Sequence, residues 1–236
     1  MEFRRAFKPV FGLGLALVAL LSFGLLAAGP AQAASKGEEI LKGLAKRYQG
    51  LDGLVADYSR RTQTPLSQEI FQNPGNVAAT GQLAWRKPAN LRLDQARPAK
   101  ELLATDGNTA WWYLPEEKQV HVYRRLDLAG EMAPLLAFLT NLEELKKNFR
   151  VKLAPPDPDR ANQAGLILVP RDKDSATGQI VAWSDGEFHL TGFDLLSVTG
   201  EKTSFFLTGV KAQALDYEEF AFKVPKGVKV VEETER

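Results

Sequence analysis

Short segments of alternating apolar and polar residues, joined by turns of only a few residues, are the feature that most restricts this fold. They cover about residues 79–87, 90–96, 100–105, 109–114 and 118–124. Such alternation is typical of half-buried β-strands. A parallel crossover needs about a dozen residues or more, whereas Asp106-Gly107 is a typical hairpin turn. This part of the chain is therefore predicted to form an antiparallel sheet.

A second strand series fills the later part of the chain. It covers about residues 150–154, 164–169, 179–184, 187–191, 193–198 and 202–209, and a last short strand ends at Val231. An earlier strand begins at Leu54. Residues 35–48 before it have the spacing of an amphipathic helix, with Ser35 and Glu38 as a capping box. Residues 65–77 are predicted to be a loop.

One strongly apolar helix is predicted between the two strand series. Pro134 suits a first helical position, and apolar residues recur at helical spacing as far as about residue 149. The first two turns contain almost no polar residue, so a helix placed over a curved sheet would cover a cavity or fill it. We call this segment the predicted lid. Its apolar residues expected to face the sheet are Leu135, Leu136, Phe138 and Leu139.

The number of strands predicts the overall shape of the sheet. Ten or more antiparallel strands with two or three helices are typical of one curved, partly closed sheet, as judged from the segments above. A sheet of that size tends to curl, and its concave face then needs something to fill it.

Composition and motifs argue against several classes of function. The 236 residues contain 30 Lys and Arg against 29 Asp and Glu, which is not the charge of a nucleic-acid binder. The absence of Cys excludes disulfides and thiolate metal sites. No nucleophile elbow, zincin motif or Walker loop occurs. His121 and His189 are predicted to be outward-facing strand residues. We therefore predict no catalytic residue, no metal site and no cofactor.

The N-terminal segment is predicted to be a cleaved signal peptide covering residues 1–33. Its start is basic, residues 10–28 are apolar, and Ala31-Gln32-Ala33 is a small-x-small pattern. An uncleaved membrane anchor is the alternative, since the apolar run just reaches spanning length. The remaining residues, 34–236, are predicted to form a single domain outside the cytoplasm.

Apolar positions on two neighbouring hairpins are predicted to face the core. Counting back from the predicted hairpin turn places Leu102 opposite Trp111, with Tyr113 on the same face, while the opposite face of the hairpin is more polar. Leu91 and Leu93 alternate with polar residues on the preceding strand. These five side chains are predicted to point inward. Whether they fill an ordinary core or line a cavity is left open at this stage.

Three short motifs follow one another along the chain. They are GQLAWRKP at residues 81–88, TDGNTAWWYLP at residues 105–115 and FAFKVPKGV at residues 220–228. They resemble, in the same order, the segments G-x-L-W-x-(R/K)-P, S-D-G-x-x-x-W-x-Y-x-P and F-x-F-x-x-P-x-G-V of the periplasmic outer-membrane lipoprotein carriers, the LolA-like proteins. Most of the chain fits around these segments.

The resemblance implies an incomplete, half-open antiparallel β-barrel of about 10–11 strands with a helical lid over a hydrophobic cavity. Such carriers take acylated lipoproteins from an inner-membrane ABC transporter and pass them to an outer-membrane receptor. It therefore implies a monomeric periplasmic carrier and no enzyme. The residues then expected to contact the acyl chains are Leu91, Leu93, Leu102, Trp111, Tyr113, Leu135, Leu136, Phe138 and Leu139.

The resemblance also implies a residue that holds the lid closed. In the family, an Arg directly before the proline hydrogen-bonds to the lid. Here Lys87 precedes Pro88 and Arg86 stands one place earlier, so the lock is expected at one of these two. Lys lacks the planar fork of Arg, and a shift by one residue changes the face. A pair of surface cations is the alternative.

Other functions on the same fold are also compatible with the sequence. An envelope sensor of lipids or lipoproteins would use the cavity to regulate a membrane partner. A carrier of phospholipids or glycolipids would transport a different cargo.

Overall fold

A computed structural model describes residues 30–64, 78–124, 142–171 and 178–233 of the protein. Two helices occur in these ranges, α1 (Pro30–Tyr48) and α2 (Leu142–Asn148), with short 3₁₀ helices at Pro158–Arg160 and Tyr217–Glu219. The strands are β1 (Gly53–Gln63), β2 (Ala79–Arg86), β3 (Asn90–Arg97), β4 (Glu101–Thr105), β5 (Thr109–Leu114), β6 (Gln119–Arg124), β7 (Phe149–Leu153), β8 (Ala164–Pro170), β9 (Gln179–Ser184), β10 (Leu190–Leu196), β11 (Lys202–Ala212) and β12 (Lys229–Glu233).

All of these strands belong to one sheet, in the order β12-β6-β5-β4-β3-β2-β1-β11-β10-β9-β8-β7. β7 and β12 are its two edges and do not pair with each other, so the sheet curls without closing. The predicted mainly β fold with a partly closed sheet is confirmed. The sheet has 12 strands in the described ranges, compared with the prediction of about 10–11.

One strand pair departs from the predicted antiparallel arrangement. β12 runs parallel to β6, with Val231 opposite His121. The chain between β11 and β12 crosses the sheet before β12 begins, and a parallel pairing requires a long connection of this kind.

The prediction of separate strands at 187–191 and 193–198 is wrong, because this region contains a single strand, β10, over Leu190–Leu196. The Asp185 carboxylate accepts the backbone N–H groups of Glu187 at 2.9 Å and His189 at 2.8 Å, which holds residues 185–189 in a turn. His189 therefore lies in the turn and not in a strand. β10 has a bulge between Leu190 and Gly192, which interrupts its alternation without ending the strand.

The concave face is the face of the sheet that carries the main apolar core. α1 and α2 lie on this face, where α1 packs on β7 and β8 and α2 packs on β7. Burial of apolar side chains from both layers is the main source of stability here. Buried side chains of this core include Leu41, Leu44, Leu54, Trp85, Leu145, Leu166, Leu168, Ile180, Phe193 and Phe205.

Polar contacts also attach helix α1 to the rest of the structure. The Tyr48 hydroxyl accepts the backbone N–H of Leu190 at 2.9 Å. Lys146 Nζ donates to Glu38 Oε1 at 2.8 Å, and this hydrogen bond lowers the pKa of the Glu38 carboxyl. The helix begins at Pro30 and not at Ser35 as predicted, so the position after Ala33 lies inside it.

Gly43 is the point where α1 and the turn before β10 approach most closely. Phe188 in that turn has a φ of 62°, in the left-handed region that a bulky residue rarely adopts. A Cβ at position 43 would lie 2.4 Å from the Phe188 ring. The aromatic ring is thus in direct contact with the helix backbone, and only glycine fits there.

We predict that Gly43→Ala destabilises the protein, although Ala is favoured over Gly inside a helix by about 1 kcal/mol. Forcing a methyl group against the Phe188 ring should cost about 1–3 kcal/mol and outweigh that gain. Gly37→Ala is the matched control in the same helix, because its nearest neighbour would lie at 3.7 Å. Urea unfolding should show a lower midpoint for Gly43→Ala and an unchanged or higher one for Gly37→Ala. Equal midpoints would contradict the close contact.

The convex face is the opposite face of the sheet, and the chain after β11 crosses it. Gln213 donates its backbone N–H to Gly53 in β1 at 3.0 Å. Further along, the Arg92 side chain of β3 donates to the Glu219 carbonyl at 3.1 Å. The Phe222 ring then lies 5.3 Å from the Tyr113 ring of β5. We call residues 213–228 the C-terminal crossing; they cover the convex side of β1 to β5.

A buried ion pair lies on the convex face of the other half of the sheet. Arg160 donates to Asp194 Oδ1 at 2.7 Å and to the Phe205 carbonyl at 3.1 Å. The Trp183 indole donates to the other Asp194 oxygen at 2.9 Å. Arg160 and Asp194 are 3% and 2% exposed, so the buried Arg160 charge depends on Asp194 for compensation, while Asp194 also lies 3.4 Å from Lys202 Nζ.

Candidate ligand-binding site

The concave face contains a cavity of about 270 Å³ in the half of the sheet away from α1. Strands β1, β3, β4, β5 and β6 supply its walls. The cavity therefore lies where the apolar face of the sheet is not covered by a helix in the described ranges. Its apolar and aromatic lining residues are Tyr58, Leu93, Leu103, Ala110, Trp112 and Tyr123, and its polar ones are Arg60, Gln95 and Glu101.

Strand register brings the apolar lining together. Leu93 of β3 lies directly opposite Leu103 of β4, and Leu103 lies opposite Trp112 of β5. Ala110 and Tyr123 form the next pair between β5 and β6. Directly opposed residues share a face and touch, so these pairs form a continuous apolar wall.

The polar residues lie together at one end of this wall. Gln95 and Glu101 are direct partners on β3 and β4. Arg60 of β1 donates to Gln95 Oε1 of β3 at 2.9 Å, reaching across β2. The Trp112 indole donates to Glu101 Oε2 at 3.1 Å. The cavity thus has an apolar body and a polar end.

Two tyrosine hydroxyls remain neutral in this environment. Burial raises the pKa of Tyr58, with the Glu101 and Asp94 carboxylates adding to the effect and Arg60 opposing it. Burial also raises the pKa of Tyr123. Both residues line the cavity, which therefore gains no negative charge from them at neutral pH.

The structure separates the predicted inward residues into two groups. Leu91 and Leu93 lie on the concave face, 4% and 8% exposed, and Leu93 lines the cavity. Leu102, Trp111 and Tyr113 lie on the convex face, so the prediction that they point inward is wrong. Leu102 pairs with Tyr113, and the Phe222 ring packs against Trp111 and Tyr113.

The physical reason lies in the hairpin loop and in the C-terminal crossing. Asp106 Oδ1 accepts the backbone N–H groups of Asn108 and Thr109, and the first pair across the loop is Thr105 with Ala110. The predicted pairing of Leu102 with Trp111 is therefore displaced. The predicted and the observed pairings place Leu102, Trp111 and Tyr113 on the same face of the hairpin. The C-terminal crossing determines that this face is covered, because Phe222 packs on it.

The cavity residues that sequence reasoning missed are on the face that looked more polar. Trp112 and Leu103 share that face with Glu101, whose carboxylate binds the indole. Leu93 was the sequence signal for the correct face of β4, because it was predicted to point inward and its direct partner across the β3–β4 hairpin is Leu103. Tyr58 and Arg60 precede residues 65–77 in the sequence. They join the site through the pairing of β1 with β2.

The described residues include the two candidates for the lock, Arg86 and Lys87, but not the four lid residues expected to face the sheet. Leu135, Leu136, Phe138 and Leu139 lie outside the described residues. Arg86 stacks over the Tyr217 ring at 3.8 Å, so its contact is with the C-terminal crossing and not with the concave face. Lys87 Nζ lies 3.9 Å from Asp52 Oδ1 at the end of the strand.

The histidines have acidic neighbours in the described structure. His121 Nδ1 lies 2.7 Å from Glu233, and His189 Nδ1 lies 2.9 Å from Asp185. Across residues 30–64, 78–124, 142–171 and 178–233, no group of three or more His, Asp or Glu side chains converges as a metal site would require. Within the same ranges, neither helix is long and apolar enough to cross a bilayer.

The fold and the site define a half-barrel with an apolar cavity on its concave face. The family model of the outer membrane lipoprotein carrier protein LolA matches residues 56–223 of this chain. The chain belongs to this family, and the predicted family resemblance is confirmed.

Individual relatives match over most of their length. An outer-membrane lipoprotein carrier protein of Vibrio parahaemolyticus is 28% identical over 223 residues, covering 94% of this chain and 97% of that protein. One from Bordetella avium is 30% identical over 214 residues, covering 90% and 95%. A solved LolA superfamily structure from Nitrosomonas europaea aligns with a TM-score of 0.43 at 13% identity, covering 79% of this chain and 97% of that one.

A pair of neighbouring leucines tests the assignment of the two faces. Leu103→Gln places an amide in the cavity wall, where a bound acyl chain would remove it from water, so a pyrene-labelled fatty acid should bind roughly tenfold more weakly. Leu102→Gln, half-buried on the convex face, should change binding less than about twofold. Fluorescence titration measures both, and thermal melting checks folding. Equal losses in the two variants would contradict the placement of the site.

Proposed function

We propose that this protein is a periplasmic carrier that holds the acyl chains of lipoproteins on its concave face and moves them from the inner to the outer membrane. The observation that carries the proposal is an apolar cavity on the concave face of a chain that belongs to the lipoprotein carrier family. The described part of the site offers binding groups and no arrangement suited to catalysis. We infer a carrier and not an enzyme, because the chain belongs to the lipoprotein carrier family.

The energetics of the cargo indicate how such a carrier must work. A chain of ~16 carbons, at about 0.8 kcal/mol per buried CH₂, holds to a membrane by roughly 12 kcal/mol. A lipoprotein with two or three chains would not leave the bilayer unaided. Loading must be driven by a membrane machine, for which an inner-membrane ABC transporter is the proposed partner. An outer-membrane receptor is the proposed acceptor.

The size of the cavity bears on how cargo enters. Its volume of about 270 Å³ is small compared with the roughly 300–1,000 Å³ of pockets for drug-sized ligands. Binding of more than one acyl chain therefore requires side chains on the concave face to move apart. We assign the cover of the site to the predicted lid, with Leu135, Leu136, Phe138 and Leu139 in contact with the acyl chains.

The lock of this lid also remains part of the proposal. Of the two candidates, Lys87 is favoured, because Arg86 is engaged with Tyr217 on the convex side. Lys87 lies 3.9 Å from Asp52, which is 88% exposed, so this contact leaves the ammonium free to reorient.

The cargo itself gives the first test. Native mass spectrometry of the protein isolated from a bacterial periplasm should find an acylated peptide or an intact lipoprotein bound. Phospholipid or glycolipid alone would change the proposal to lipid transport. A protein that is empty and also fails to take up acylated peptide would indicate a sensor.

A transport assay is the second test. It compares Leu103→Gln with its matched control, Leu102→Gln. Inner-membrane vesicles that contain a labelled lipoprotein and the transporter should release it into solution when this protein and ATP are added. Leu102→Gln should support release at close to the wild-type rate, because its side chain lies away from the cavity. Leu103→Gln should lower release by roughly tenfold, in line with its weaker binding. Normal release by Leu103→Gln would place the acyl chains elsewhere.

A further inference from the structure

Arg60 is the cationic side chain that lines the cavity. Its backbone lies in β1, and its guanidinium donates one hydrogen bond to Gln95 Oε1 at 2.9 Å. Gln95, 7% exposed, is fixed in turn by donating to the Ala99 carbonyl at 3.1 Å. Arg60 is thus held toward the end of an apolar cavity by a buried amide.

The guanidinium keeps unused hydrogen-bonding capacity at this position. In the described part of the chain Arg60 forms no ion pair, whereas its neighbour Arg61, on the other face of β1, lies 3.8 Å from Asp159. A guanidinium has several N–H donors, and Gln95 takes only one of them. A cation beside apolar surface, with donors to spare, is suited to a ligand that brings acceptor oxygens.

We propose that Arg60 anchors the polar end of the bound lipid by donating hydrogen bonds to the carbonyl oxygens of its ester or amide linkages. This inference rests on the proposed carrier function and adds the part of the cargo that is recognised. The acyl chain then runs from Arg60 along Leu93 and Leu103, while the peptide or headgroup stays at the polar end. Gln95 acts as a positioning residue for the guanidinium.

The second charged residue of the cavity favours a neutral linkage over an anionic headgroup. Glu101 is the direct cross-strand partner of Gln95, and one of its oxygens is bound to the Trp112 indole. In the described ranges it has no cationic partner within ion-pair distance. An anionic ligand would meet this carboxylate as well as Arg60, whereas a carbonyl group meets the donor without that repulsion.

The test compares two synthetic diacylated peptides that differ only in having ester or ether linkages. The ether peptide has the same chain lengths and the same peptide part, and it lacks only the ester carbonyl acceptors. The wild-type protein should bind the ester peptide roughly tenfold more tightly, as expected for hydrogen bonds from a charged donor. Arg60→Met should bind both peptides alike, at the affinity of the wild type for the ether peptide. Isothermal titration calorimetry measures each affinity.

Matched variants separate recognition from folding. Arg61→Met removes an arginine one residue away on the opposite face and should preserve the preference for the ester. Gln95→Leu leaves Arg60 in place without its partner and should reduce the preference. If Arg60→Met does not fold, the ester-to-ether ratios of the wild type, Arg61→Met and Gln95→Leu still decide the matter.

The possible outcomes distinguish this inference from the proposed function. Equal binding of both peptides by the wild type would overturn the role of Arg60 and leave the carrier function intact. Binding of neither peptide would count against the carrier function itself. Tighter binding of free palmitate than of its methyl ester, lost in Arg60→Met, would show that Arg60 recognises a carboxylate and would also overturn the assignment.

Discussion

The register between neighbouring strands determines which side chains meet in this protein. A shift by one residue would move a whole strand's side chains to the other face. Leu93, Leu103 and Trp112 form a row across β3, β4 and β5 because they are direct partners. Leu102 and Tyr113, each one residue away, form a separate row on the other side. The cavity and the covered convex face are therefore two sides of the same hairpins.

Each face of the sheet has a cover of a different kind. On the concave face, α1 and α2 bury one half and leave the cavity in the other. On the convex face, the C-terminal crossing covers β1 to β5, and the connection that carries Arg160 covers part of the other half. Aromatic residues on both faces are thus explained by packing, and those of the concave face line the cavity.

Most strands and their alternation could be predicted from the sequence, because the turns between them are short and have typical turn residues. The bounds of β5 and β9 agree with the prediction to the residue. The face of the β4–β5 hairpin was predicted wrongly, because its signal lies in the pairing of Leu93 with Leu103 and its cover, Phe222, comes from near the end of the chain. The bulge at Gly192 likewise interrupted the alternation of β10, because a strand with an extra residue has no constant period.

The polar end of the site could not be predicted from the sequence for a related reason. Arg60, Gln95 and Glu101 belong to three strands, and each looks like an ordinary surface residue within its own segment. Their proximity follows from the pairing of β1 with β2, of β2 with β3 and of β3 with β4. A site built from isolated polar residues on separate strands leaves no motif in the sequence.

The position of β1 in the sheet has a consequence for the order in which the protein folds. β1 pairs with β2 on one side and with β11, near the far end of the chain, on the other. β1 to β6 and β7 to β11 are each runs of sequential neighbours, which close short loops, whereas the seam between β1 and β11 closes a long one at a greater entropic cost. Within the described ranges, the residues that line the cavity lie between Tyr58 and Tyr123, in the first run. The contacts that shape the cavity have low contact order, so they are expected to form before the two halves of the sheet join.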